Sequence, residues 1–297
     1  MLSAKFKSYL HLHVLVFIAG FTAILGELIS IEAIPLVWFR MLMALILMYV
    51  YVKVAKINIK ITSKAITKFA FAGVIIALHW ITFFTAIKVA NISIALAMFS
   101  TGAFFASIIE PIIYKRAIVW YEILFGIIVI IGVYIITQSE LKYITGIILG
   151  ITSALLSSLF AVLNGKFLKT HSATTISFYE FLSGVLFISM YIMLFTEGFS
   201  INFFNLSVPD FGYLFILASI CTTYAFIASV YIMKDISPYT VVLTYNLEPI
   251  YGIAIAVLLF PDKEKMSPAF YYGALIIIIT VLCNGILKNM KKIKKSS

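Results

Sequence analysis

Charge is what this sequence has least of. Only 11% of its 297 residues are Asp, Glu, Lys or Arg, whereas 63% are hydrophobic. An ordinary soluble domain is about 25% charged and about 45–50% apolar, so no soluble core of this size hides that much apolar surface. Cysteine is scarcer still: Cys221 and Cys283 each lie in an apolar run without CxxC spacing. That excludes a disulfide framework and a cysteine metal centre, and both read as small hydrophobes. No GxxxxGK[ST] run occurs, so the loop with which a nucleotide-driven pump cradles phosphate is missing. Long polar stretches are absent too; the longest connection, around Lys53 to Lys68, contains no soluble module. Neither a cofactor nor a metal is expected.

Apolar runs recur along the whole chain. A transmembrane helix needs about 20 predominantly apolar residues to cross about 30 Å of hydrocarbon. Candidate spans fall at 11–31, 34–53, 69–89, 92–114, 119–138, 144–165, 174–196, 210–232, 238–260 and 269–288. The first follows Lys5 and Lys7 in the manner of a signal peptide, but no small-residue cleavage site precedes the next run, so it is retained as a span. The expected fold is therefore all-α and integral to the membrane, with ten transmembrane helices.

The net charge of +10 invites comparison with nucleic-acid binders, whose basic patches neutralise phosphates. Its distribution argues for a membrane instead. With the N-terminus inside, the cytoplasmic segments hold Lys5, Lys7, Lys53, Lys56, Lys60, Lys64, Lys68, Lys115, Arg116, Lys166, Lys169, Lys234 and the tail from Lys288 to Lys295. The opposite side receives little beyond Lys88, Lys142, Lys263 and Lys265. Such a bias places both termini in the cytoplasm, in the inner or plasma membrane of the cell, with no nucleic-acid partner. The loop at Glu140 to Thr145 divides the chain into 1–139 and 140–297, five spans each. Because five is odd, two copies of such a unit insert with opposite topology, the plan of many secondary transporters. The sequence echo between the halves is weak, so this reading rests on the count of spans.

Ionisable groups at membrane depth cost about 2.5–3.5 kcal/mol each on insertion scales and usually face a cavity or a partner. Glu27 in span 1 and Arg40 in span 2 have comparable depth and opposite charge. Two readings stand: the pair pins two helices together, or Arg40, a planar donor suited to carboxylates, takes a substrate acid group when released. Span 3 places His79 and Trp80 near mid-membrane, with Thr82, Phe83 and Ala86 on the His79 face. His79 is either a packed side chain or a proton relay, and Lys88 at the outer end is expected to snorkel to the headgroups. Span 4 carries Ser100, Ala103, Ser107 and Glu110 on one stripe before Pro111, and span 9 reads Tyr245-Asn246-Leu247-Glu248-Pro249. A proline removes a helical hydrogen bond and displaces the carbonyl four residues earlier, which at depth is tolerated where protein or water satisfies it. Both Glu-Pro sites should therefore face the interior, Glu248 centrally and Glu110 nearer the cytoplasmic end. Asn164 and Glu180, with Tyr179 beside it, fall near that same end, where they could gate the mouth or cap helices. Gly146, Gly150, Ala154 and Ser158 form a small-residue ridge that lets backbones approach. Trp38 and Trp120 are expected at the interfaces.

Several segments in order resemble the EamA-type transporters of the drug/metabolite transporter superfamily. They are Phe21-Thr22-Ala23-Ile24-Leu25-Gly26, Pro35-Leu36-Val37-Trp38-Phe39-Arg40, His79-Trp80 with Phe83-Phe84 and Lys88, Ser100-Thr101 through Glu110-Pro111, Tyr179-Glu180, and Asn246-Leu247-Glu248-Pro249. The resemblance covers nearly the whole chain. It implies two inverted five-helix repeats around a central cavity and movement of organic metabolites such as amino acids, often outward. One departure is Glu27, where similar members often carry Lys. The expected function is a secondary carrier exporting a small polar metabolite by alternating access. Arg40, His79, Trp80, Tyr245, Asn246 and Glu248 are expected to bind substrate, and Glu27, Glu110, Asn164 and Glu180 to couple or gate. The expected partners are a small-molecule substrate and the lipid bilayer, the protein acting as a monomer or homodimer. Efflux of cationic drugs is the rival carrier reading, since Glu27, Glu110, Glu180 and Glu248 could bind cations. A membrane-embedded lipid-modifying enzyme is the reading from another class; it would need a clustered nucleophile, metal or acid/base group at an interface.

Overall fold

The computed structural model describes residues 4–115, 117, 120–232, 244, 245 and 247–296. The regular secondary structure among these residues is all helical, with no strand. The chain runs through α1 (Ala4–Leu28), α2 (Ala33–Val54), α3 (Ser63–Val89), α4 (Ile92–Phe99), α5 (Gly102–Tyr114) and α6 (Trp120–Ser139). It continues through α7 (Ile144–Phe167), α8 (Ala173–Phe195), the short α9 (Ile201–Phe204), α10 (Val208–Ala218), a π-helical segment (Ser219–Tyr224) and α11 (Ala225–Ile232). The last two helices are α12 (Glu248–Leu259) and α13 (Pro268–Ser296).

Eight helical stretches among the described residues are long and apolar enough to cross a membrane, with α4–α5 and α10 through α11 each counted as one. Glu248–Leu259 and Pro268–Asn284 are shorter apolar helices. The protein is thus a multi-pass membrane protein, although two of the ten sequence-derived spans have a shorter described apolar helix.

Local chemistry sets where the helices begin. Thr62, Asn91, Ser172 and Ser207 are N-caps whose side-chain oxygens accept from the backbone N–H three residues on, satisfying a donor the helix cannot. The fourth span breaks at Ser100-Thr101, not near Pro111. Thr101 Oγ1 donates to the Met98 carbonyl at 2.6 Å and Ser100 Oγ to the Leu96 carbonyl at 3.0 Å. Those bonds compete with the helical ladder, and Gly102, a weak helix former, follows. Pro111 is carried inside α5. In the eighth span Thr222 and Thr223 donate to the carbonyls five residues earlier, Leu217 at 2.7 Å and Ala218 at 2.9 Å, which is the π-helical spacing.

The packing interleaves the two halves of the chain. Helix α3 packs on α7 and α8, α2 on α8 and α10, α1 on α10, α11 and α12, α7 on α4 and α5, and α6 on α13. The small-residue ridge of α7 does what its spacing suggests. A Cβ at Gly150 would stand 2.7 Å from Met98 Cβ, and Ser158 Oγ donates to the Gly102 carbonyl at 2.7 Å. Trp38 is buried and donates to Ser189 Oγ at 2.8 Å, whereas Trp120 is exposed.

Candidate functional site

A cavity of about 700 Å³ lies between the halves, with walls from α1–α5, α7, α8, the π segment and helices α11–α13. It reaches from Arg40, Trp80 and Glu248 to the end where α5 and α7 finish and α8 begins, at Tyr114, Leu168 and Ala173. Both Glu-Pro sites face it, as do Ser100, Ala103, Ser107 and Glu110 of the stripe read from sequence. Tyr245 also lines it and shares a 2.7 Å hydrogen bond with Ser229 Oγ. Most of the remaining lining is apolar or aromatic, including Phe99, Phe160 and Phe226. Asn246, expected at this site, lies outside the described residues.

Arg40 is the cation of this wall among the described residues. Its guanidinium is fixed twice: Nε donates to Thr222 Oγ1 at 2.9 Å, and its central carbon stands 4.0 Å from the centre of the Trp80 ring. The π segment makes the first contact possible, because it turns Thr222 inward while its hydroxyl proton goes to Leu217. Nη1 is buried and has no hydrogen-bond partner among the described residues. Arg40 and Glu248 act on each other electrostatically. A guanidinium held by stacking and one hydrogen bond, with a donor left over, is suited to an acceptor that arrives from elsewhere.

Two sequence-derived placements change. Arg40 and Glu27 do not pair. Glu27 instead accepts from Lys263 Nζ at 2.6 Å, and that bond holds the Lys263 ammonium above its ordinary value. Lys88 donates to the Ile29 carbonyl, just past the end of α1. His79 is buried and absent from the cavity wall: Nδ1 lies 2.8 Å from Ser153 Oγ and 3.1 Å from the Ser153 carbonyl, with Phe99 stacked on the ring. A shift of one residue turns a helical side chain by about 100°, so Trp80 reaches the cavity and His79 the α7 seam. Asn164 lines the cavity, with Glu180 fully buried behind it.

The opposite end carries polar stitches the sequence reading missed. Buried Glu264 accepts from the backbone N–H groups of Ile92 at 3.0 Å and Ser93 at 2.8 Å, at the N-terminus of α4. Asp210 accepts from Ser30 through its N–H at 2.6 Å and its hydroxyl at 2.7 Å, and Glu140 accepts from Ser267 N–H at 2.9 Å. Ser207-x-x-Asp210 is a legible capping pattern. Nothing marks Glu264, because its partners are backbone groups about 170 residues away.

These stitches differ in weight. Lys263 is 68% exposed, and exposed ion pairs contribute about 0–1 kcal/mol. A buried carboxylate with two backbone donors leaves both orphaned when removed, at about 1–3 kcal/mol each. Thermal unfolding in detergent should therefore show a small loss for Lys263→Ala and a clearly larger one for Glu264→Ala. Equal losses would contradict this ordering.

The family profile described as the EamA-like transporter family matches residues 7–138 and again 144–286. The chain belongs to this family. It is an EamA-type transporter of the drug/metabolite transporter superfamily, with two family repeats covering nearly its whole length. No curated protein sequence matches it significantly. A solved crystal structure, described simply as that of a protein, aligns with 96% of this chain and 98% of its own, at a TM-score of 0.65 and 11% identity. At that identity the likeness shows the fold. The EamA assignment and membrane helices point to transport, and among the described residues no group of His, Cys, Asp or Glu could hold a metal.

Proposed function

We propose that this EamA transporter is a secondary carrier that exports small polar organic metabolites of the amino-acid type by alternating access. The observation that carries the reading is the cavity between the repeats, where an anchored guanidinium and a carboxylate of opposite charge share an otherwise mostly apolar wall. A zwitterion satisfies both groups at once: its carboxylate takes the Arg40 donors, its ammonium takes Glu248, and its apolar part meets Trp80 and Tyr245. Asn246 completes this set. Glu27 and Glu110 act in gating, Glu27 through its bond to Lys263.

The chain has ten spans, the last two including the shorter apolar helices, divided at 139/140 into inverted repeats. The pattern of packing supports that symmetry. Helix α1 packs on α10 and α11 as α7 packs on α3, α1 packs on α12 as α7 packs on α4 and α5, and α2–α8 and α6–α13 exchange into themselves. The termini are cytoplasmic and the membrane is that of the cell, by the Lys/Arg bias. The cavity mouth then lies on the cytoplasmic side, where an exporter collects its cargo, and the stitched end faces out.

The test is flux in proteoliposomes, using a labelled amino-acid mixture and, separately, a cationic dye. Amino-acid counterflow by the parent protein supports the proposal. Dye flux alone favours cationic-drug efflux, for which Glu110 and Glu248 on an aromatic-lined wall speak. Flux of neither sinks the carrier reading. Within this scheme Glu248→Gln should lower zwitterion flux by roughly tenfold, the loss of one charge-assisted contact. It should spare a carboxylate analogue that lacks the amine. Equal loss for both probes would remove the ammonium role from Glu248.

A further inference from the structure

The carboxylates of this protein are met by different partners. Glu27 has an ammonium, Glu248 the opposing charge of Arg40, Asp210 three donors from two serines, and Glu140 and Glu264 backbone N–H groups. Glu180 has neither a countercharge nor a backbone donor among the described residues. It is 0% exposed, in the second turn of α8. Oε1 accepts from Asn164 Nδ2 at 2.9 Å, and Oε2 is buried with no hydrogen-bond partner among the described residues. No charged side chain among those residues acts on it.

The elements around α8 offer Glu180 no countercharge. On α2, Arg40 is engaged with Thr222 and Trp80, and Lys53 lies over Tyr49. On α3, His79 is held by Ser153, while Lys64 and Lys68 are exposed, as is Lys166 on α7. Tyr179 donates to the Ile59 carbonyl at 3.1 Å. An ionised carboxylate buried with one neutral donor costs far more than the neutral acid in the same place, and intramembrane acids of this kind serve as proton relays.

We propose that Glu180, with Asn164 as its link to the cavity, is the proton site that couples this carrier to a pH gradient, a role that rests on the transport reading above. Asn164 lines the cavity and Glu180 does not, so water that enters from the cavity past the Asn164 side chain carries the proton to the carboxylate. There a hydronium ion gives up its proton, an O–H bond forms on the carboxylate and the water is left neutral; release on the other side reverses the step.

Glu180 also lies where two backbones touch. A Cβ at Gly73 of α3 would stand 2.9 Å from Glu180 Cα. A neutral Glu180 therefore suits this sealed α3–α8 seam, and an ionised one favours an arrangement of α8 that admits water to the carboxylate. Protonation thus biases two conformations by their difference in affinity for the proton.

Two measurements on the full-length protein test this. Difference infrared spectra of purified protein between acidic and alkaline samples should contain a protonated-carboxyl band that is lost on alkalinisation and is missing from Glu180→Gln. That variant keeps side-chain size and an oxygen for Asn164; Glu180→Asp, which keeps an acid, should retain a band and guards against a folding artefact. In proteoliposomes with a labelled amino-acid mixture, Glu180→Gln should sustain counterflow within roughly twofold of the parent. It should lose accumulation driven by an imposed pH gradient. A band that persists unchanged in Glu180→Gln, or gradient-driven accumulation that survives it, overturns the proton site and leaves transport standing. Absence of counterflow in the parent itself overturns the carrier reading, and the coupling role with it.

Discussion

Replacing Arg40 with methionine is expected to lower initial zwitterion flux at sub-saturating substrate by on the order of a hundredfold, with the protein still folded. Each hydrogen bond between the guanidinium and a carboxylate contributes about 1.5–3 kcal/mol, and about 1.4 kcal/mol is a factor of ten. Two such bonds lost give the expected size. Methionine keeps an apolar stem to pack against Trp80 and Phe84, over which the guanidinium now lies at 4.0 and 5.5 Å. The lysine variant is expected to do nearly as badly. An ammonium has no Nε to reach Thr222 Oγ1 while also lying flat on Trp80, so charge is kept without orientation. A carboxylate analogue without an amine should lose as much flux as the zwitterion, unlike the expected behaviour of Glu248→Gln. Parental flux in both Arg40 variants, measured on protein that elutes as a single species, would remove Arg40 from the site.

What could be read from the sequence is what depends on distance along the chain. Span 2 is expected at 34–53 and helix α2 runs Ala33–Val54; span 7 is expected at 174–196 and α8 runs Ala173–Phe195. Apolar runs with lysines in the gaps are local signals, and so are the N-caps. Position across the membrane is not local. Glu27 and Arg40 share a depth, yet depth says nothing of the direction in which each side chain leaves its helix, and Glu27 found Lys263 instead. The break at Ser100-Thr101 was hidden by the more conspicuous Pro111, because hydroxyl-to-carbonyl competition is a weaker textual signal than a missing N–H. Thr222 could not be found at all: only the extra residue in a π turn brings its hydroxyl to Arg40. The stripe of Ser100, Ala103, Ser107 and Glu110 was legible, since four positions at helical spacing survive a break between the first two.

The α3–α8 seam is expected to be the least tolerant packing contact in the fold. Alanine at Gly73 would place its Cβ into Ser183 Oγ and the Glu180 carbonyl oxygen, and 2.9 Å from Glu180 Cα. Two of those three atoms are backbone and cannot rotate away, so α8 must shift as a body. Overpacking of this kind costs about 1–3 kcal/mol and occasionally more, and Gly73→Ala belongs at the upper limit. Gly184, on the other side of the same seam, supplies the contrast. Its added Cβ would meet Met41 Cε and, at 3.0 Å, Met41 Sδ, with the Gly73 carbonyl oxygen at 3.1 Å. Methionine is unbranched and repacks easily, so Gly184→Ala should cost about 1 kcal/mol or less on the same scale. Thermal unfolding of the two variants in one detergent reads the difference directly, and a Gly184→Ala loss equal to that of Gly73→Ala would contradict the seam geometry. Where Gly73→Ala still folds, separating the helices admits water to Glu180, which removes the distinction between its neutral and ionised forms. Counterflow should then outlast gradient-driven accumulation in Gly73→Ala, the same dissociation expected of Glu180→Gln but reached from the opposite helix.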